Sequence, residues 1–75
     1  MLDRFFVGQV VQFNENHKWC GCLGIVEEVK PIGPDCKYMI DVPMPDGSSA
    51  YIFVMHSDHV IEYVGNAVLG VVKSE

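Results

Sequence analysis

The chain has 75 residues, of which 49% are hydrophobic and 20% are charged, a composition typical of one small globular domain and not of a disordered segment. Five Lys and Arg residues against ten Asp and Glu residues give a net charge of -5. Nucleic acid is therefore disfavoured as a partner, because proteins hold phosphates with an excess of basic side chains.

Turn residues recur at regular intervals along the chain, and the segments between them are rich in Val, Ile, Tyr and Phe. This pattern predicts five short β-strands and no helix of normal length. The predicted strands comprise residues 9–13, 23–29, 37–42, 50–55 and 60–64. The second strand departs from strict alternation, which predicts a β-bulge near Glu27 and Glu28.

Alternation along the strands predicts which side chains form the core. In the third strand Tyr38, Ile40 and Val42 share one face, which we assign to the core. The fourth strand is apolar on both faces, which is typical of a central strand and not of an edge strand. The full predicted core consists of Val11, Phe13, Val26, Tyr38, Ile40, Val42, Phe53, Val60 and Ile61.

Between the fourth and fifth strands, Ser57 and Asp58 can cap a single turn of 3₁₀ helix. After the last strand, Gly65 and Asn66 interrupt the pattern, and residues 67–72 are apolar enough to form a sixth strand or to pack along an edge. We therefore predict one domain over residues 1–75, with its core at residues 7–64 and a tail at residues 65–75.

Five strands with a 3₁₀ turn before the last one are the layout of a small SH3-like barrel, which is the all-β fold that we predict. Residues 8–13 look like the first strand of such barrels, and residues 24–29 resemble the Gly-x-Val strand of KOW and Tudor-type members. Residues 57–64 are similar to the 3₁₀ turn and closing strand of SH3 domains.

A narrower resemblance rests on the order of four segments. An Asn-rich first loop, a Gly-Ile-Val-Glu strand, a Tyr-x-Ile-x-Val strand and a Tyr-Ile-Phe strand together resemble the small YorP-like proteins of Bacillus prophages. The resemblance implies an SH3-like barrel of phage or prophage origin. It supplies no activity and no site residue, because fold alone does not define function.

The chain is expected to be cytoplasmic in the host cell and to make no contact with a membrane. Its longest apolar runs are far shorter than the about 18 residues of a membrane-spanning helix, and residues 5–7 are too short for the apolar part of a signal peptide. Three cysteines cannot form a fully paired disulfide framework within one chain, so we expect reduced thiols.

One cluster of potential metal ligands comprises His17, Cys20, Cys22 and Cys36. Cys-x-Cys in an extended chain points both sulfurs to one face, so a zinc site is geometrically possible. Structural zinc sites usually space their cysteines two to four residues apart, however, and small thiols also fill core positions as weak hydrophobes. We therefore predict no cofactor and keep a small metal-binding protein as an alternative.

The segment His56-Ser57-Asp58-His59 contains the residue types of a catalytic triad. Neighbours on one turn do not point at one another, and a triad is assembled from distant segments around a pocket. We therefore expect no catalytic residue and no enzymatic activity.

Aromatic side chains suggest where a partner could bind. Trp19 lies in a loop among polar residues, and large rigid side chains in such positions are enriched at protein interfaces. We predict a binding groove formed by Trp19 with Tyr51 or Tyr63, on a loop that is mobile because few residues could anchor it. The equal alternative is that the Trp19 side chain folds over the open end of the barrel.

The function predicted from the sequence is that of a non-enzymatic phage or prophage accessory protein that binds a host or phage protein. The alternative besides metal binding is a KOW or Tudor-like nucleic-acid binder, in which Lys18, Lys30 and Lys37 would have to form a local basic patch.

Overall fold

A computed structural model describes residues 4–66, which form five strands and one 3₁₀ turn. The elements are β1 Gln9–Phe13, β2 Leu23–Ile32, β3 Asp35–Pro43, β4 Ser49–Met55, the 3₁₀ turn His56–Asp58 and β5 Ile61–Asn66. All neighbouring strands pair antiparallel in one open sheet of order β4-β3-β2-β1-β5. The predicted all-β, small SH3-like barrel with a 3₁₀ turn before its last strand is confirmed. The predicted strand at 67–72 lies outside the described residues.

The hairpin between β2 and β3 is longer than predicted. Ile32 pairs with Asp35, so that only Gly33 and Pro34 connect the two strands. Gly33 has a φ of 57°, the left-handed conformation that such short connections require. Pro31 therefore lies inside β2 and does not end it. The predicted bulge is confirmed, since the register shifts between Val26 and Glu28.

The core lies on the inner face of the sheet. Val11, Val26, Tyr38 and Ile40 are fully buried there, and eight of the nine predicted core residues are buried. Cys36 and Val54 also belong to the buried core. Gly24 allows β2 to approach β3 closely, because a Cβ at this position would lie 2.5 Å from Cγ2 of Ile40.

Two predictions for β4 are wrong. This strand lies at an edge of the sheet, and Phe53 is 58% exposed while Val54 faces the core. The error has a physical cause: a strand with apolar residues on both faces gives no alternation that could decide which face is buried. The structure leaves the outer face of β4 to solvent.

The contacts that fix the 3₁₀ turn confirm one of its two predicted capping residues, Asp58, but not Ser57. The Met55 amide donates to Asp58 Oδ2 at 3.1 Å, so Asp58 caps the turn. Ser57 does not cap it, because its hydroxyl donates to Asp35 Oδ2 at 2.5 Å and its amide donates to Asp35 Oδ1. The Ser57 hydroxyl lowers the pKa of the Asp35 carboxyl, with a smaller effect from the Cys36 amide.

Candidate interaction surface

Trp19 lies in the loop of residues 14–22 between β1 and β2. Its side chain is partly buried and packs against the core, and its amide donates to Nδ1 of His17 at 3.0 Å. The prediction that few residues anchor this loop is wrong, because Asn14 Nδ2 and Asn16 Nδ2 both donate to the His59 carbonyl. The loop is thus tied to the turn before β5.

Tyr51 and Tyr63 are half exposed on the two edge strands, β4 and β5. Directly paired residues share a face of a sheet. Tyr51 pairs with Asp41 on the outer face, whereas Tyr63 pairs with the buried Val11 on the inner face. The structure therefore does not bring these two side chains together, and the predicted groove of Trp19 with Tyr51 or Tyr63 stays a prediction.

The four candidate metal ligands occupy different environments. Cys20 and Cys22 are exposed, whereas Cys36 is buried in the core. The His17 ring stacks on the Phe13 ring with centroids 4.5 Å apart. Within residues 4–66, no group of three or more His, Cys, Asp or Glu side chains is arranged to hold a metal ion.

The polar residues near the 3₁₀ turn make contacts that hold the fold. The Tyr38 hydroxyl accepts from the Phe5 amide at 3.1 Å and lies 3.0 Å from Nδ1 of His56. Burial raises the pKa of Tyr38 to about 12, and its hydrogen bond to Cys36 adds to this effect. These contacts join the segment before β1 and the 3₁₀ turn to β3.

Strand register places an apolar surface on the outer face of the sheet. One cross-strand row runs Tyr51, Asp41, Ile25 and Val10 from β4 to β1. Next to it, Phe53 pairs with Met39. We call this set the outer-face surface, and it comprises Val10, Leu23, Ile25, Met39, Asp41, Pro43, Tyr51 and Phe53.

Two parts of the outer-face surface differ in shape. On β1 and β2, a shallow groove of about 170 Å³ is lined by Val10, Leu23, Gly24, Ile25 and Pro43. On β4, the rings of Tyr51 and Phe53 are 54% and 58% exposed. The ammonium group of Lys37 lies 5.5 Å from the centroid of the Phe53 ring, so this ring already has a cation beside it.

Asp41 lies between these two parts. Its neighbours across the strands are Tyr51 and Ile25, and its neighbours on the same face of β3 are Met39 and Pro43. Oδ1 of Asp41 is out of contact with solvent and has no hydrogen-bond partner among residues 4–66. The residue as a whole is partly buried.

A larger cavity of about 450 Å³ lies near Tyr63 and is lined by Arg4, Phe5, Gln9, Ile61, Glu62 and Tyr63. It is bordered by Arg4, the first described residue, so we assign no site to it.

Sequence reasoning selected Tyr51 but missed the residues around it. Leu23, Ile25 and Asp41 have no unusual spacing, and they join Tyr51 on one face only through the pairing of β2, β3 and β4. The one signal present in the sequence is the apolar character of both faces of β4, which predicts burial and not exposure.

Comparisons with protein-family models, with curated proteins and with solved structures find no match for the chain. Within residues 4–66, no helix has the length and apolar character needed to cross a membrane.

Proposed function

We propose that this protein is a non-enzymatic interaction module that binds a partner protein through the outer-face surface. The observation that supports the proposal is the grouping of apolar and aromatic side chains around Asp41, on a face that the other residues among 4–66 leave open. Contiguous exposed apolar patches on small proteins mark interaction sites, and aromatic residues are enriched there.

The charge on this face favours a protein over a nucleic acid. Asp41 lies at the centre of the surface, and Glu28 pairs with Met39 beside it. Of the lysines that a nucleic-acid site would need, Lys30 and Lys37 pair with each other on this sheet, whereas Lys18 lies in the loop before β2. Two lysines beside a carboxylate are a weak basis for phosphate binding in a chain with a net charge of -5.

The resemblance to YorP-like proteins extends the proposal to the biological setting. A phage or prophage accessory protein would act in the cytoplasm of the host, and its partner would be a host or phage protein. Trp19 is a separate candidate contact, because its partly buried ring packs beside the core at the end of the sheet.

Displayed peptide libraries test this function directly. The protein is immobilised and selected against short random peptides, and binding of the selected peptides is compared between the native chain and a Tyr51→Thr/Phe53→Thr variant. Thr is well tolerated in strands, so the variant should keep the fold. We expect it to lose the selected peptides, because it removes both exposed rings.

Val64→Thr is the matched control, since Val64 is also exposed but lies on the opposite edge strand. We expect it to bind like the native chain. Unchanged binding by the Tyr51→Thr/Phe53→Thr variant would contradict the proposal. Binding of single- or double-stranded oligonucleotides at low salt, with no peptide selected, would favour the nucleic-acid alternative instead.

A further inference from the structure

The outer-face surface also indicates the chemistry of its partner, an inference that rests on the function proposed above. We infer that the partner supplies an extended segment that pairs with the free edge of β4 and extends an Arg or Lys side chain across Tyr51 to Asp41. The segment thus carries a basic side chain with apolar neighbours.

The backbone of β4 supplies the first part of the argument. β4 is the last strand in the sheet order, so one of its edges has no strand beside it among the described residues. The N–H and C=O groups along such an edge are free to bond an added strand. Strand addition is therefore the geometry in which a partner uses both the backbone of β4 and its exposed rings.

Strand spacing places the added side chains. Neighbouring strands lie about 4.8 Å apart, so an added strand would lie about 10 Å from β3, which carries Asp41. In the added strand, the residue that pairs with Tyr51 would extend the cross-strand row of Tyr51 and Asp41. Its side chain would therefore lie on the same face of the sheet as theirs. A long side chain at that position can lie over the Tyr51 ring and reach the carboxylate beyond it.

Charge selects a basic side chain for this position. Oδ1 of Asp41 is desolvated and has no partner among residues 4–66, which is unfavourable for a carboxylate. A cation beside it would offset this cost, and the face of Tyr51 would attract the same cation. Arg fits better than Lys, because its planar guanidinium both stacks on rings and pairs with a carboxylate through two hydrogen bonds.

The Phe53 end of β4 disfavours a basic side chain in the partner. Lys37 already lies over the Phe53 ring, so a second cation opposite Phe53 would be repelled. The partner segment should therefore have its basic residue at the Tyr51 end and an apolar residue at the Phe53 end. A second copy of this chain fits poorly, because the strand that it would add, β4 itself, carries no Arg or Lys and each chain has a net charge of -5.

Peptide selection with charge variants at Asp41 tests the inference. The native chain should enrich peptides that have one Arg or Lys among apolar, strand-forming residues. Asp41→Asn keeps the shape of the side chain and should lose this enrichment, with binding of the native-selected peptide weakened on the order of tenfold to a hundredfold. Asp41→Lys should enrich Asp or Glu at the same position.

Glu27→Gln is the matched control, because it removes one negative charge from an exposed residue outside the row. The Glu27→Gln variant should still enrich peptides that carry an Arg or Lys residue. Amide exchange adds a second readout: the bound peptide should slow exchange along β4, as strand pairing requires. Slowing confined to the loop of residues 14–22 would overturn the inference and point to Trp19.

The outcomes separate the two proposals. A basic preference that persists in Asp41→Asn and Asp41→Lys would overturn the inference, as would selected peptides that need Tyr51 and Phe53 but carry no basic residue. In both cases the proposed interaction function stands. If binding is indifferent to Tyr51 and Phe53, the function itself fails. A dimer that Tyr51→Thr dissociates would replace the partner segment by a second copy.

Discussion

Asp41 places a carboxylate among apolar side chains on β3, an interior strand of the sheet. Replacing it with Val removes a desolvated oxygen that has no partner among the described residues and introduces a residue favoured in strands. We expect Asp41→Val to raise the free energy of unfolding by about 0.5 to 1.5 kcal/mol. Urea denaturation measures the change.

Asp41→Asn provides the comparison for that stability measurement, since it keeps the shape and removes the charge. A gain in stability together with a loss of peptide binding would show that this residue favours binding at the expense of the fold, as functional residues often do. A lower free energy of unfolding in Asp41→Val would contradict the assignment, because it would mean that the carboxylate has a stabilising partner in solution.

Ile40, next to Asp41, faces the opposite side of the sheet and is fully buried. Ile40→Ala should lower the free energy of unfolding by about 2 to 5 kcal/mol, because it leaves a cavity in the core. Phe53→Ala is the control on the neighbouring strand, and its exposed ring should make the loss less than about 1 kcal/mol. Equal losses would mean that the faces of β3 and β4 are wrongly assigned.

Long-range hydrogen bonds hold the loop of residues 14–22 in a defined conformation. Asn14 Nδ2 donates to the His59 carbonyl at 2.9 Å, and Asn14 Oδ1 accepts from the Asn16 amide at 2.8 Å. We expect Asn14→Ala to lower the free energy of unfolding by about 1 to 2 kcal/mol. Amide exchange should become faster at both ends of this contact, in the loop and in the turn before β5.

Asn66→Ala tests whether that effect is specific to the contact with His59. Asn66 lies at the end of β5, and among residues 4–66 its side chain has only a long hydrogen bond, 3.5 Å, from the Tyr63 hydroxyl. The Asn66→Ala variant should leave amide exchange in the loop of residues 14–22 almost unchanged. If Asn14→Ala also leaves loop exchange unchanged, the loop is held mainly by its backbone bonds, such as that from the Gly21 amide to the Phe13 carbonyl.

The elements differ in how far the sequence could predict them. Turn residues and alternation located all five strands and the bulge, and one face of β3 was evident from Tyr38, Ile40 and Val42. The anchoring of the loop was not predictable, because a side chain bonded to the His59 carbonyl leaves no local pattern. The row through Asp41 depends on three registers at once, and alternation within single strands does not define those registers.

At the scale of the whole molecule, residues 4–66 form one sheet and cover one of its faces. Antiparallel sheets that face water usually alternate apolar and polar residues, so that the open face is polar. Here the outer face combines a groove on β1 and β2 with two rings on β4. The small size of the domain explains why one face is exposed. It does not explain the apolar side chains grouped in the outer-face surface, which is why we assign that surface to binding.

The stability of the whole fold should depend on alkaline pH through Tyr38. Burial raises the pKa of this hydroxyl from its ordinary value of 10.0 to about 12. A group whose pKa is raised on folding contributes its full stability below the pKa of the unfolded chain and loses it as the pH rises through the pKa of the folded state. We therefore expect the free energy of unfolding to fall between pH 10.0 and about 12.

Tyr38→Phe should remove the part of this alkaline loss that belongs to Tyr38. It should also lower stability at neutral pH, since the hydroxyl accepts from the Phe5 amide and contacts His56. Urea denaturation at several alkaline pH values measures the slope in both chains, and tyrosinate absorbance of the folded protein reports the late titration directly. An identical slope in Tyr38→Phe would show that another group unfolds the protein in alkali, and the buried hydroxyl would then have no part in it.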